Sequence, residues 1–89
     1  MELVCRSGRV EFEGERLEVG DCARFCRDVV RILAGISRRV FHTPDSWVFL
    51  LERGMAEVEE RLFLDVCRVS SSREVVEYIA RRLGSPTME

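Results

Sequence analysis

Between Asp21 and Phe41, apolar residues recur every three or four positions: Cys22, Phe25, Cys26, Val29, Leu33, Ile36 and Val40. At about 100° per residue these fall on one stripe. Arg24, Arg27, Arg31, Arg38 and Arg39 fall on the other side, with Asp28 and Gly35 among them. The spacing predicts one long amphipathic helix with its stripe buried and an arginine face turned outward. Asp21 is the expected N-cap. His42-Thr43-Pro44 is the expected stop, because a residue before proline is disfavoured in a helix.

The first twenty residues follow a different period. Glu2-Leu3-Val4-Cys5 is a short apolar run, Val10 and Phe12 alternate with Glu11 and Glu13, and Leu17 and Val19 alternate with Arg16 and Glu18. Gly14 lies between the alternating segments and can supply the positive φ of a tight connection. This predicts a β-hairpin whose apolar face packs on the helix, since so few strands are not stable alone.

After Pro44, the residues Val48, Leu51, Met55, Val58 and Leu62 continue a helical stripe, with Thr43 as cap and Asp45 at the positive end of the dipole. Trp47 to Leu51 is apolar on every side, however, and Arg53-Gly54 would suit a hairpin turn; a helix is the expectation. Residues 61–69 are expected to form a strand. Ser71 and Glu74 form a capping box for a last helix, with Val75, Val76, Ile79, Ala80 and Leu83 inward and Gly84 at its end. Residues 85–89 read as a frayed tail. The expected fold is therefore one small globular α+β domain over residues 1–89. It has an N-terminal β-hairpin packed on a long amphipathic helix, two further helices and one more strand, in the order β-β-α-α-β-α.

Composition narrows the setting. Among 89 residues, 46% are hydrophobic and 34% charged, which suits a folded globule and not a disordered tail. The chain has no Lys, Asn or Gln, so every basic residue except His42 is Arg. Loss of thermolabile amides with dense charge of both signs is a thermophile trend. With no leader-like segment and no long apolar run, the expectation is a soluble, cytoplasmic protein without membrane contact.

Four cysteines allow three readings: buried apolar thiols, a disulfide of the kind found inside hyperthermophiles, or a metal pair at Cys22-x₃-Cys26. Cβ atoms one helical turn apart are about 5–6 Å from each other, too far for a bridge within the helix. Any bridge must join it to Cys5 or Cys67. Buried free thiols are the expectation, with no metal and no cofactor.

Catalytic signals are sparse. His42 stands alone at an element boundary, and no nucleophile, zinc or phosphate-loop motif occurs. Glu59 and Glu60 are adjacent and would diverge on a helix. The chain reads as a non-enzymatic assembly or adaptor subunit of a thermophile, meeting a protein partner or forming a homo-oligomer. The motive is an excess of large apolar groups; Trp47, Phe49, Leu50 and Phe63 are the expected interface.

The alternative is a nucleic-acid-binding accessory protein. Residues 21–43 carry five Arg and two Asp, whereas 44–70 carry three Arg and six acids. Arg24, Arg27, Arg31, Arg38 and Arg39 could therefore grip phosphates or an acidic partner. They could equally pair with surface acids, and the acidic balance of the whole chain favours that. If residues 47–69 formed a hairpin, the element order resembles that of the small subunit of the archaeal KEOPS tRNA-modification complex. No motif is shared. The resemblance implies a place in an RNA-processing or tRNA-modification complex, and an element order does not carry function.

Overall fold

The computed structural model describes residues 1–84, so the expected tail at 85–89 lies outside the described residues. Seven strands form one antiparallel sheet: β1 (Glu2–Arg6), β2 (Arg9–Phe12), β3 (Glu15–Glu18), β4 (Arg39–His42), β5 (Ser46–Leu50), β6 (Met55–Arg61) and β7 (Val66–Ser70). Two helices, α1 (Cys22–Ile36) and α2 (Arg73–Gly84), complete the fold. Strand order across the sheet is β3-β2-β1-β7-β6-β5-β4. The α+β fold with three helices and a hairpin is thus replaced by a mostly β architecture.

The N-terminal strands form where the period of two placed them. Ser7-Gly8 and Glu13-Gly14 make the two tight turns, with positive φ at all four residues, as hairpin turns of matching twist require. Gly8 is constrained twice: its φ is +79°, and a Cβ there would sit 2.5 Å from the Gly20 carbonyl oxygen. Its own carbonyl accepts the Val19 N–H at 3.0 Å, which ties the first turn to the chain entering α1.

Alternation divides the sheet into two unlike faces. Leu3, Cys5, Val10, Phe49, Ala56, Val58, Cys67 and Val69 are fully buried, and the register sets them side by side under the helices. From above, α1 contributes Cys22, Phe25, Cys26, Val29 and Leu33, and α2 contributes Val76 and Ile79. α1 runs across β1, β7, β6 and β5, and α2 lies against β1 and α1. The other face is open and carries ion pairs between neighbouring strands, including Arg16–Glu11 at 3.1 Å, Arg9–Glu18 at 3.7 Å and Arg68–Glu59 at 3.9 Å. Each exposed pair is worth little alone.

Several expectations are corrected. α1 stops at Ile36, with Ser37 extended at φ −96° and ψ 151°. Arg38 and Arg39 therefore do not lie on the helix; Arg39–His42 is an edge strand. Val40 and Phe41, β-branched and aromatic, pair with Phe49 and Val48 instead of prolonging the stripe. Residues 46–61 are a hairpin and not a helix: Trp47 and Phe49 stand opposite Val58 and Ala56. Gly54 at φ +90° turns the chain between the two strands. Their helical spacing came from two unrelated faces of strands. Thr43 does not cap a helix but closes the β4–β5 turn. The expected strand at 61–69 divides into a 3-10 turn, Leu62–Leu64, and β7. Ser72, not Ser71, accepts the Val75 N–H at the start of α2, while Ser71 Oγ donates to the Met55 carbonyl.

All four thiols are bridged, as Cys5–Cys22 and Cys26–Cys67, which overturns the expected free cysteines. The geometry is simple. Cys5 and Cys67 are direct cross-strand neighbours on β1 and β7, and Cys22 and Cys26 are one helical turn apart on α1. Two pairs of similar spacing face each other across the layer boundary. Burial, read as a sign of inert thiols, is what brings them within bonding reach. Their loops span 17 and 41 residues, worth about 3 and about 4 kcal/mol on the chain-entropy account.

Candidate protein-interaction site

Asp21 opens α1 as expected, its carboxylate accepting the Arg24 N–H at 2.7 Å. Asp65, in the left-handed conformation after the 3-10 turn, accepts a second N–H of that first turn, from Cys22 at 3.0 Å. The helix is held firmly at this end. At its other end the chain leaves α1 and forms β4, which among the described residues pairs only with β5.

All four residues of β4 are exposed. Val40 is 41% accessible and points to the helix side; Phe41 is 47% accessible and points to the open side. Ile36 is exposed just before the strand, and Leu50 and Met55 are exposed on the open side of β5 and β6. His42 lies flat on Trp47, with ring centroids 3.9 Å apart. The Trp47 indole N–H donates to Glu60 at 3.1 Å, which satisfies a half-buried ring. Hydroxyls of the following turn are used locally, Thr43 Oγ1 accepting the Ser46 N–H at 3.1 Å.

Of the four interface residues read from sequence, Leu50 belongs to this patch and Trp47 borders it. Phe49 is fully buried and closed to contact. Phe63 is 83% accessible but sits on the 3-10 turn, at the end of β6 away from Leu50 and Met55. The residues missed are Val40, Phe41, Ile36 and Met55. Their signal was the Val40-Phe41 pair of strand formers after Gly35 and Ser37, which the longer helical period concealed.

The arginines are divided by the fold. Arg24, Arg27 and Arg31 are exposed on the outer side of α1, whereas Arg38 and Arg39 lie beside the edge strand. Among the described residues none of the five makes an ion pair within 4.0 Å. The hairpin acids are engaged elsewhere, Glu11 with Arg16 and Glu13 with Arg73. Arg31 and Arg82 line an open groove between the helices, together with Asp28, Ile32 and Leu83.

Among the described residues, no three His, Cys, Asp or Glu side chains gather as a metal site, and no helix is long and apolar enough to cross a membrane. Comparison with family models, curated proteins and solved structures gives no match.

Proposed function

We propose that this chain is a non-enzymatic assembly subunit, acting through protein–protein contacts at the β4 end of its sheet. One observation carries the reading: an unpaired edge strand is flanked by exposed apolar side chains on both faces. Edge strands of soluble proteins are normally blunted by charge, proline or a bulge. β3, at the opposite edge, is blunted in that way by Glu15, Arg16 and Glu18. β4 carries one charged residue, Arg39, and offers Val40 on the helix side and Phe41 on the open side, where Leu50 and Met55 are also exposed. The setting we propose is the cytoplasm of a thermophile, where two bridges in a small chain are compatible with intracellular hyperthermophile chemistry.

Native mass spectrometry of the tagged chain isolated from its own cells tests this. The wild type should carry a complex of fixed stoichiometry, and Phe41→Glu should release the free chain. A free monomer from both would overturn the reading.

A second reading, phosphate contact by Arg24, Arg27, Arg31, Arg38 and Arg39, is favoured by their lack of carboxylate partners within 4.0 Å among the described residues. Binding to a nucleic acid should weaken by about 0.7–0.9 log units per log unit of salt for each phosphate contact. It should be lost in Arg27→Glu/Arg31→Glu. No binding at low salt would exclude it.

A further inference from the structure

We propose that the partner at this edge is a second copy of the chain. The two β4 strands would pair antiparallel about a two-fold axis normal to the sheet, with Phe41 opposite the partner copy's Phe41. This rests on the assembly reading and adds to it both occupant and register.

The register follows from which backbone groups are free. Thr43 donates its N–H to the Ser46 carbonyl at 2.8 Å, which marks 43 and 46 as a hydrogen-bonded pair. Such pairs alternate along an antiparallel ladder. Phe41 and Val48 are therefore the next bonded pair, and the N–H and C=O groups of Val40 and His42 point to the free edge. A two-fold normal to the sheet keeps both helix layers on the same side, and directly opposite residues then share a face. Setting Val40 against the partner copy's His42 uses every one of those outward groups, twice over by symmetry. Phe41 then meets the other Phe41 in the narrow, non-bonded position, where side chains approach most closely.

Both faces gain from this register. On the open side, Val48 and Phe41 of one copy continue into Phe41 and Val48 of the other. On the helix side, Phe49 and Val40 continue into the partner copy's His42 and the Trp47 on which it stacks. Charge fits as well. Arg39 faces the partner copy's Thr43, close to its Asp45, so positive strand starts meet the acidic turn and no like charges stand opposite. Placing Val40 against Val40 is poorer, because Arg38 already gives its N–H to the Leu50 carbonyl at 2.7 Å and could not complete the ladder. Each copy has one such edge, and the other edge is charged. Pairing therefore closes as a dimer and does not extend into a filament.

Sedimentation velocity on the purified full chain, over a concentration series, provides the test. The wild type should show a monomer–dimer equilibrium. Phe41→Glu should weaken it by roughly 100-fold or more, since it removes an apolar pair and sets two carboxylates opposite each other. An equimolar mixture of Phe41→Glu and Phe41→Lys should recover a heterodimer that neither forms alone. Circular dichroism showing both variants folded keeps the comparison valid; if they do not fold, Phe41→Ser and Phe41→Thr replace them, with weakened dimerisation expected. A wild type that is monomeric throughout overturns the inference, as does a dimer indifferent to Phe41 or an unrescued mixture. Should the dimer fail while the cell-derived complex holds another protein and is lost in Phe41→Glu, the assembly reading stands. Loss of both takes down both.

Discussion

The two ends of the sheet solve the problem of small size in different ways. The β3-β2-β1-β7 end is locked internally: both bridges join it to α1, α2 covers β1, and its free edge is charged. The β6-β5-β4 end has no covalent tie, and its free edge exposes Val40 and Phe41 between Arg39 and His42. A domain of this size has little core to spare. Here one half is stabilised by cross-links, and the other leaves apolar side chains exposed at its edge. On the proposed assembly reading, stability and association fall on separate strands, so that substitutions at β4 should change association with little effect on stability.

The most forceful way to break that contrast is to remove core from the unlinked half. Phe49→Ala should cost about 3–5 kcal/mol, as for other buried aromatics, read by urea unfolding. A loss below about 1 kcal/mol would mean that β5 adds little to the core. Opening one bridge by Cys26→Ala/Cys67→Ala should cost about 3–4 kcal/mol. Hydrogen exchange should then show β7 and β1 losing more protection than β4 and β5; an equal loss in both halves would erase the distinction.

Gly8→Ala should destabilise by about 1–3 kcal/mol, through left-handed strain and the clash with Gly20. Asp21→Ala should cost about 1 kcal/mol by uncapping α1. The smallest effect sharpens the comparison most. Phe41→Ser should change unfolding of the monomer by no more than about 0.5 kcal/mol, as an exposed position permits, while weakening self-association. A large loss of monomer stability would show that β4 is structural and not an interface.

Much of the linked half was legible in the sequence, because its signals are local. The apolar run at residues 2–5, the alternation over residues 10–19 with Gly14 at its turn, the Asp21 cap and the α1 stripe through Leu33 each depend on a few neighbours along the chain. At the other end the local signals conflicted. Val48, Leu51, Met55 and Val58 match a helix by count, and Glu57, Glu59 and Glu60 are good helix formers. Only a partner strand on each side could decide that Trp47 and Phe49 share a face with Ala56 and Val58. The same holds for Val40, whose place in the helical stripe was displaced by pairing with Phe49.

The candidate site lay within that conflict. Reading residues 38–41 as helix placed Arg38 and Arg39 with the α1 arginines, put Val40 in the buried stripe and kept Phe41 out of the expected interface. The sequence offers more large apolar residues than one helix layer need cover, but which of them would be covered was a question of three-dimensional neighbours. Phe49 went into the core and Phe41 to the edge.

By itself, then, the sequence determined short N-terminal strands, an amphipathic helix capped by Asp21, and that a bridge from that helix could reach only Cys5 or Cys67, while free thiols were the expectation. Tertiary structure decided where the helix ends, that residues 39–61 are strands, which cysteines join, and which apolar side chains remain exposed. Periodicity and capping act over a turn or two of chain, whereas strand pairing and burial depend on residues up to 70 positions apart, as between Met1 and Ser71.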